Sequence, residues 1–142
     1  MRFLRPLLFL PLFVSTVVAA DVRLESPWLR EPPPGQTGAA IYASVLNTGN
    51  RDLVLTGATV EGAASAEVHG HSMHEGMMHM GPAGPLRIAP GASISLEPGG
   101  YHLMVSGLAK RPVAGGRVGF CVEFEGGVRA CAEALVKGMA GT

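Results

Sequence analysis

The sequence predicts an all-β fold, an antiparallel β-sandwich in a single domain. Three observations predict it. Short apolar runs are separated throughout by turn residues, with 20 Gly and 11 Pro among 142 residues. Several runs alternate apolar and polar side chains, as in Ser93-Ile94-Ser95-Leu96. No window of about ten residues or more carries a helical apolar period. Six to nine short strands with frequent turns are the pattern of a β-sandwich.

The elements follow in order. Residues 1–20 have Arg2 and Arg5 ahead of an apolar stretch from Pro6 to Val18, then the small residues Ala19 and Ala20. This is the pattern of an export signal cleaved near Ala20-Asp21, which leaves residues 21–142 as the β domain. The apolar stretch is short for a membrane span, and no Cys follows the small residues to carry a lipid. The expected product is exported, periplasmic and free of membrane insertion. Val22 to Arg30 predicts a first strand broken at Pro27, and three consecutive prolines then stiffen the loop from Glu31 to Gly38. Ala39 to Leu46 is apolar enough for a sheet interior and stops at Asn47-Thr48-Gly49-Asn50. Leu53–Thr56, Thr59-Val60, Ala66–His69, Leu86–Ile88, Ser93–Leu96 and Tyr101–Val105 are further strand candidates. Arg117–Glu125 and Val128–Val136 predict a closing hairpin around Gly126-Gly127.

Charge excludes one class of partner. The chain carries 11 Lys and Arg against 11 Asp and Glu, with no run of one sign. Nucleic acid is therefore not an expected partner, since neutralising phosphates needs a clustered basic excess. Cys121 and Cys131 lie symmetrically about Gly126. In an exported chain a hairpin there would let them pair, while free thiols and a redox or metal role stay open.

The chemistry concentrates between residues 69 and 104, which hold all five His together with Met73, Met77, Met78, Met80 and Met104. In Tyr101–Ser106 the apolar face is Tyr101, Leu103 and Val105, so His102 and Met104 share the other face. Val68 likewise points inward, with His69 and His71 facing the other way. A turn at Glu75-Gly76 would bring His69 roughly opposite Met80. Two imidazoles and two thioethers can thus converge from one hairpin and one strand. A thioether is soft and uncharged, and it favours Cu(I) over Zn, Ca or Mg. His71, His74 and His79, with Met73, Met77 and Met78, are auxiliary candidates, for Cu(II) or for a second metal. Simple solvation remains open for those three histidines.

The order His69, ten residues, Met80, twenty-one residues, His102, one residue, Met104 resembles the signature of the periplasmic copper chaperones called PCu(A)C. Trp28, Ala39–Asn47, Gly76 and Pro98-Gly99-Gly100-Tyr101-His102 extend the resemblance over most of the chain. It implies a cupredoxin-like Greek-key sandwich that binds Cu(I) at His69, Met80, His102 and Met104 in an exposed site. It also implies a non-enzymatic role, with copper delivered to the dinuclear copper centre of cytochrome c oxidase, either to its copper-site subunit or through an assembly factor. Two other readings compete. One is copper buffering or resistance without a dedicated recipient. The other is a copper redox enzyme of superoxide-dismutase type, suggested only by the His69-Gly70-His71 triplet.

Overall fold

The computed structural model describes residues 21–139. The expected signal segment, residues 1–20, lies outside the described residues, as do residues 140–142. The strands are β1 (Val22–Arg30), β2 (Ala39–Asn47), β3 (Leu53–Val60), β4 (Ser65–His74), β5 (Met77–Pro82), β6 (Leu86–Ile88), β7 (Ser93–Leu96), β8 (His102–Ser106), β9 (Arg117–Phe124) and β10 (Arg129–Lys137). They hydrogen-bond in the order β5-β4-β8-β2-β1-β10-β9-β3-β6, with β7 added to β2. An Ala58–Ala66 pairing of β3 with β4 joins the two arms, so the sheet folds back on itself around one core. All adjacent strands are antiparallel except β1 and β10.

That core is built from alternate residues of each strand, as period-two patterning requires. Leu29, Ile41, Val45, Leu55, Leu103, Val105 and Val122 are fully enclosed within it. The buried Asn47 closes the end of β2. Its Nδ2 donates to the carbonyls of Arg51 at 2.7 Å and Ile88 at 3.0 Å, while its Oδ1 accepts from the Gly49 amide at 3.0 Å. A buried side-chain amide without these partners would be costly.

Two strands run through breaks that the sequence suggests. β1 is not broken at Pro27; it continues through a bulge, its register against β2 shifting between Glu25 and Trp28. Ser26 takes φ 49° there. The extra residue inverts the alternation. Leu24 faces the core before the bulge, Leu29 after it, and Trp28 is turned to the outer face beside Tyr42. β3 also bridges the expected gap between Thr56 and Thr59, with an irregularity between Leu55 and Gly57 against β9.

The β9–β10 hairpin forms as expected around a short 3₁₀ turn at Glu125–Gly127, where Gly126 has φ 83°. Cys121 and Cys131 are direct cross-strand partners and form a disulfide. Among the described residues there is no helix long and apolar enough to cross a membrane.

Candidate metal centre

The His- and Met-rich segment is a hairpin, not a loop. Glu75 and Gly76 turn the chain with φ 51° and 77°, both positive, as a two-residue type I′ turn demands. This turn sets the register. His74 pairs with Met77, Met73 with Met78, Ser72 with His79, His71 with Met80, and His69 with Pro82. Met80 is therefore opposite His71, two residues from the expected position opposite His69. Because the offset is even, Met80 keeps the face of His69.

On the other edge of β4, His69 pairs with His102 and Glu67 with Met104. One face of the three strands consequently carries Glu67, His69, His71 and Met73 from β4, Met78 and Met80 from β5, and His102 and Met104 from β8. The two imidazoles are directly opposed, their ring centroids 5.9 Å apart. Two imidazoles that share one ion, each nitrogen about 2 Å from it, place their centroids about 5–6 Å apart. The histidine pair therefore has the spacing of a shared-ion site.

The thioethers flank that pair. Met104 and Met80 occupy the two diagonal positions beside His69, one on each side, within reach of long side chains. They are not gathered to a point. The Met104 methyl packs towards Gly38, 3.4 Å from where a side chain there would begin, and Met80 is 61% exposed. Exposure is uneven across the site as well. His102 is only 6% exposed, which corrects the expectation of a site open throughout. A row of rings covers it. Trp28 lies 4.6 Å from Tyr42 by centroids, Tyr42 lies 6.5 Å from His102, and His69 closes the other side. Arg30 sits over both Trp28 and Tyr42, and Lys137 lies 5.0 Å from the Trp28 ring centre, so two cations border this aromatic pair.

Hydrogen bonds choose which nitrogens are free. His102 Nδ1 lies 3.2 Å from the Gly100 carbonyl, which can only accept, so this nitrogen donates and Nε2 keeps its lone pair. His69 Nε2 lies 3.3 Å from Glu67 Oε2, and donation to that carboxylate leaves Nδ1 free. Carbonyl and carboxylate partners of this kind hold and orient metal-binding imidazoles. Sequence reasoning passed over Glu67 in this role, although its i, i+2 relation to His69 in a strand carried the signal. Tyr42 was passed over for want of any register between β2 and β8.

Among the described residues, no three His, Cys, Asp or Glu side chains gather as a metal-holding group. The thioethers that flank the histidine pair favour a soft cation.

Fold and site together define a cupredoxin-like β domain of the PCuAC type. The solved apo PCuAC domain of PmoF1 superposes with a TM-score of 0.68 at 26% identity, covering 83% of this chain and 94% of that one. The copper-bound PCuAC domain of PmoF2 gives 0.69 at 24% identity, covering 83% and 93%. More particularly, the chain belongs to the LpqE-like lipoprotein family, whose model matches residues 22–136. It is also 30% identical over 124 residues to a protein of Leifsonia xyli subsp. xyli named as a lipoprotein, Lxx21020, covering 87% of this chain and 74% of that one.

Proposed function

We propose that this chain is an exported copper carrier that binds Cu(I) through His69, Met80, His102 and Met104 and passes it to the dinuclear copper centre of cytochrome c oxidase. One observation carries the reading: His69 and His102 face each other at 5.9 Å with a methionine diagonal to His69 on either side. The copper in the PmoF2 domain of like fold supports the same cargo. A disulfide and relatives named as lipoproteins support an exported, oxidising location, here the periplasm after cleavage near Ala20-Asp21.

The donor set suits transfer. Imidazoles and thioethers are uncharged ligands, so Cu(I) keeps its positive charge and is not locked in place by thiolates. His102, enclosed by Tyr42 and His69, is the fixed point of the site. Met80, on an exposed hairpin, is the ligand an incoming donor reaches first. Exchange then proceeds one ligand at a time, with no chemical turnover by the protein.

The test is anaerobic Cu(I) competition binding on the wild type and on the His102→Ala/Met104→Ala double variant, followed by incubation of the loaded protein with the copper-site subunit of the oxidase. Tight binding lost in the variant, with copper moving to the subunit, is the expected result. Binding that survives the double substitution overturns the ligand set. Tight binding without transfer makes the protein a copper buffer.

A further inference from the structure

The β4–β5 hairpin has a second face. Alternation sends Ser72 and His74 of β4, with Met77 and His79 of β5, to the side opposite His69, His71 and Met80. There His74 is directly across from Met77, and His79 is directly across from Ser72. The His74 and His79 rings are diagonal neighbours with centroids 6.5 Å apart, edge to face. This is slightly beyond the spacing of about 5–6 Å for two imidazoles on one ion. All four residues are exposed, with Met77 at 63%, so a modest rotation of either ring closes the gap without disturbing the core. The side-chain hydrogen bonds on the other face tie down His69 and His102 and leave this pair untouched.

We propose that His74, Met77 and His79 form a second metal site, separate from the His69–His102 site and back to back with it across the hairpin. Two imidazoles and one thioether make an uncharged three-coordinate N₂S set, which suits Cu(I) and its redox-inert analogue Ag(I) and offers little to Mg or Ca. The auxiliary donors therefore divide by face. His71, Met73 and Met78 lie on the side of the first site, whereas His74, Met77 and His79 make a site of their own. The type I′ turn at Glu75-Gly76 locks this division, because a one-residue change in turn length would slide β5 and exchange its faces.

The experiment is titration of the folded protein with Ag(I), followed by histidine ring NMR and by metal-to-protein ratio after desalting. The wild type is expected to hold two equivalents. The His74→Ala/His79→Ala variant, altered only at the exposed hairpin tip, is expected to hold one and to keep the His69 and His102 ring shifts. The His102→Ala/Met104→Ala variant is expected to retain an equivalent that shifts His74 and His79, and Met77→Leu to weaken that equivalent about tenfold. Ag(I) binding that leaves the His74 and His79 rings unshifted in the wild type overturns the proposal, as does a second equivalent that survives His74→Ala/His79→Ala. An affinity untouched by Met77→Leu overturns the thioether's part. Since the two sites report through different rings, failure here leaves the His69–His102 reading standing, and failure there leaves this one.

Discussion

Glu67 and His69 share one strand and one face, and the carboxylate Oε2 meets the imidazole Nε2 at 3.3 Å. The contact engages Nε2, leaves Nδ1 without that partner, and puts a carboxylate beside a donor set that has none of its own.

Removing that carboxylate is expected to weaken Cu(I) binding. In Glu67→Ala the ring loses its orienting acceptor, and losses of this kind typically cost about 10- to 100-fold in metal affinity. Glu67→Gln keeps an acceptor oxygen without the charge and should fall between the two. Chelator competition under anaerobic conditions measures the series. An Ala variant as tight as wild type would remove Glu67 from the site.

Gly70 is fitted against Tyr101. A Cβ at residue 70 would lie 2.8 Å from two carbons of the Tyr101 ring, and Tyr101 immediately precedes His102. Gly70→Ala should therefore lower stability by about 1–2 kcal/mol through overpacking and loosen metal binding by displacing the strand that carries His102. Denaturant unfolding followed by fluorescence of Trp28, the single tryptophan, reads the first effect. An unmoved midpoint would mean that Tyr101 swings aside freely.

Oxidation should follow exposure. Met73, Met77, Met78 and Met80 are 61–67% exposed, whereas Met104 is half-buried. Dilute peroxide is expected to convert the hairpin methionines to sulfoxides before Met104, and loss of the soft donor at Met80 should lower Cu(I) affinity. Peptide mass spectrometry gives the order, and prior loading with Cu(I) should shield Met80. Equal rates at Met80 and Met104 would contradict the burial difference.

The disulfide acts on the fold and not on the site. Its strands, β9 and β10, are separated from β8 by β1 and β2 in the sheet. Cys121→Ser/Cys131→Ser should cost about 2–3 kcal/mol, the chain-entropy value for so short a loop, with Cu(I) affinity unchanged in the folded fraction. A parallel loss of affinity in fully folded variant would show that the site senses this hairpin.

Much of the architecture is legible in the residues themselves. Most strand positions from Ala39 to Val136 follow from alternation and turn residues, both of which are local, whereas β5 and the second half of β4 are not among the strand candidates. The shared face of His102 and Met104 follows in the same way, since two residues apart in a strand is a fixed relation. The Pro27 break was misread because proline marks a bulge as readily as an end. Which one occurs depends on whether the strand has partners to continue along, and here β2 supplies one through Tyr42 and Ile41 and β10 another through Leu135 to Lys137.

Sequence by itself determined the β class, the closing hairpin with its symmetric cysteines, and the set of side chains from which a soft-metal site could be drawn. Tertiary structure alone decided that His69 stands opposite His102, that Met80 is across from His71, that Tyr42 lies beside His102, and that His74 and His79 share a separate face. The physical reason is that alternation is a property of one strand. Register and neighbour are properties of two, set by turn geometry and by the burial of residues distant in the chain.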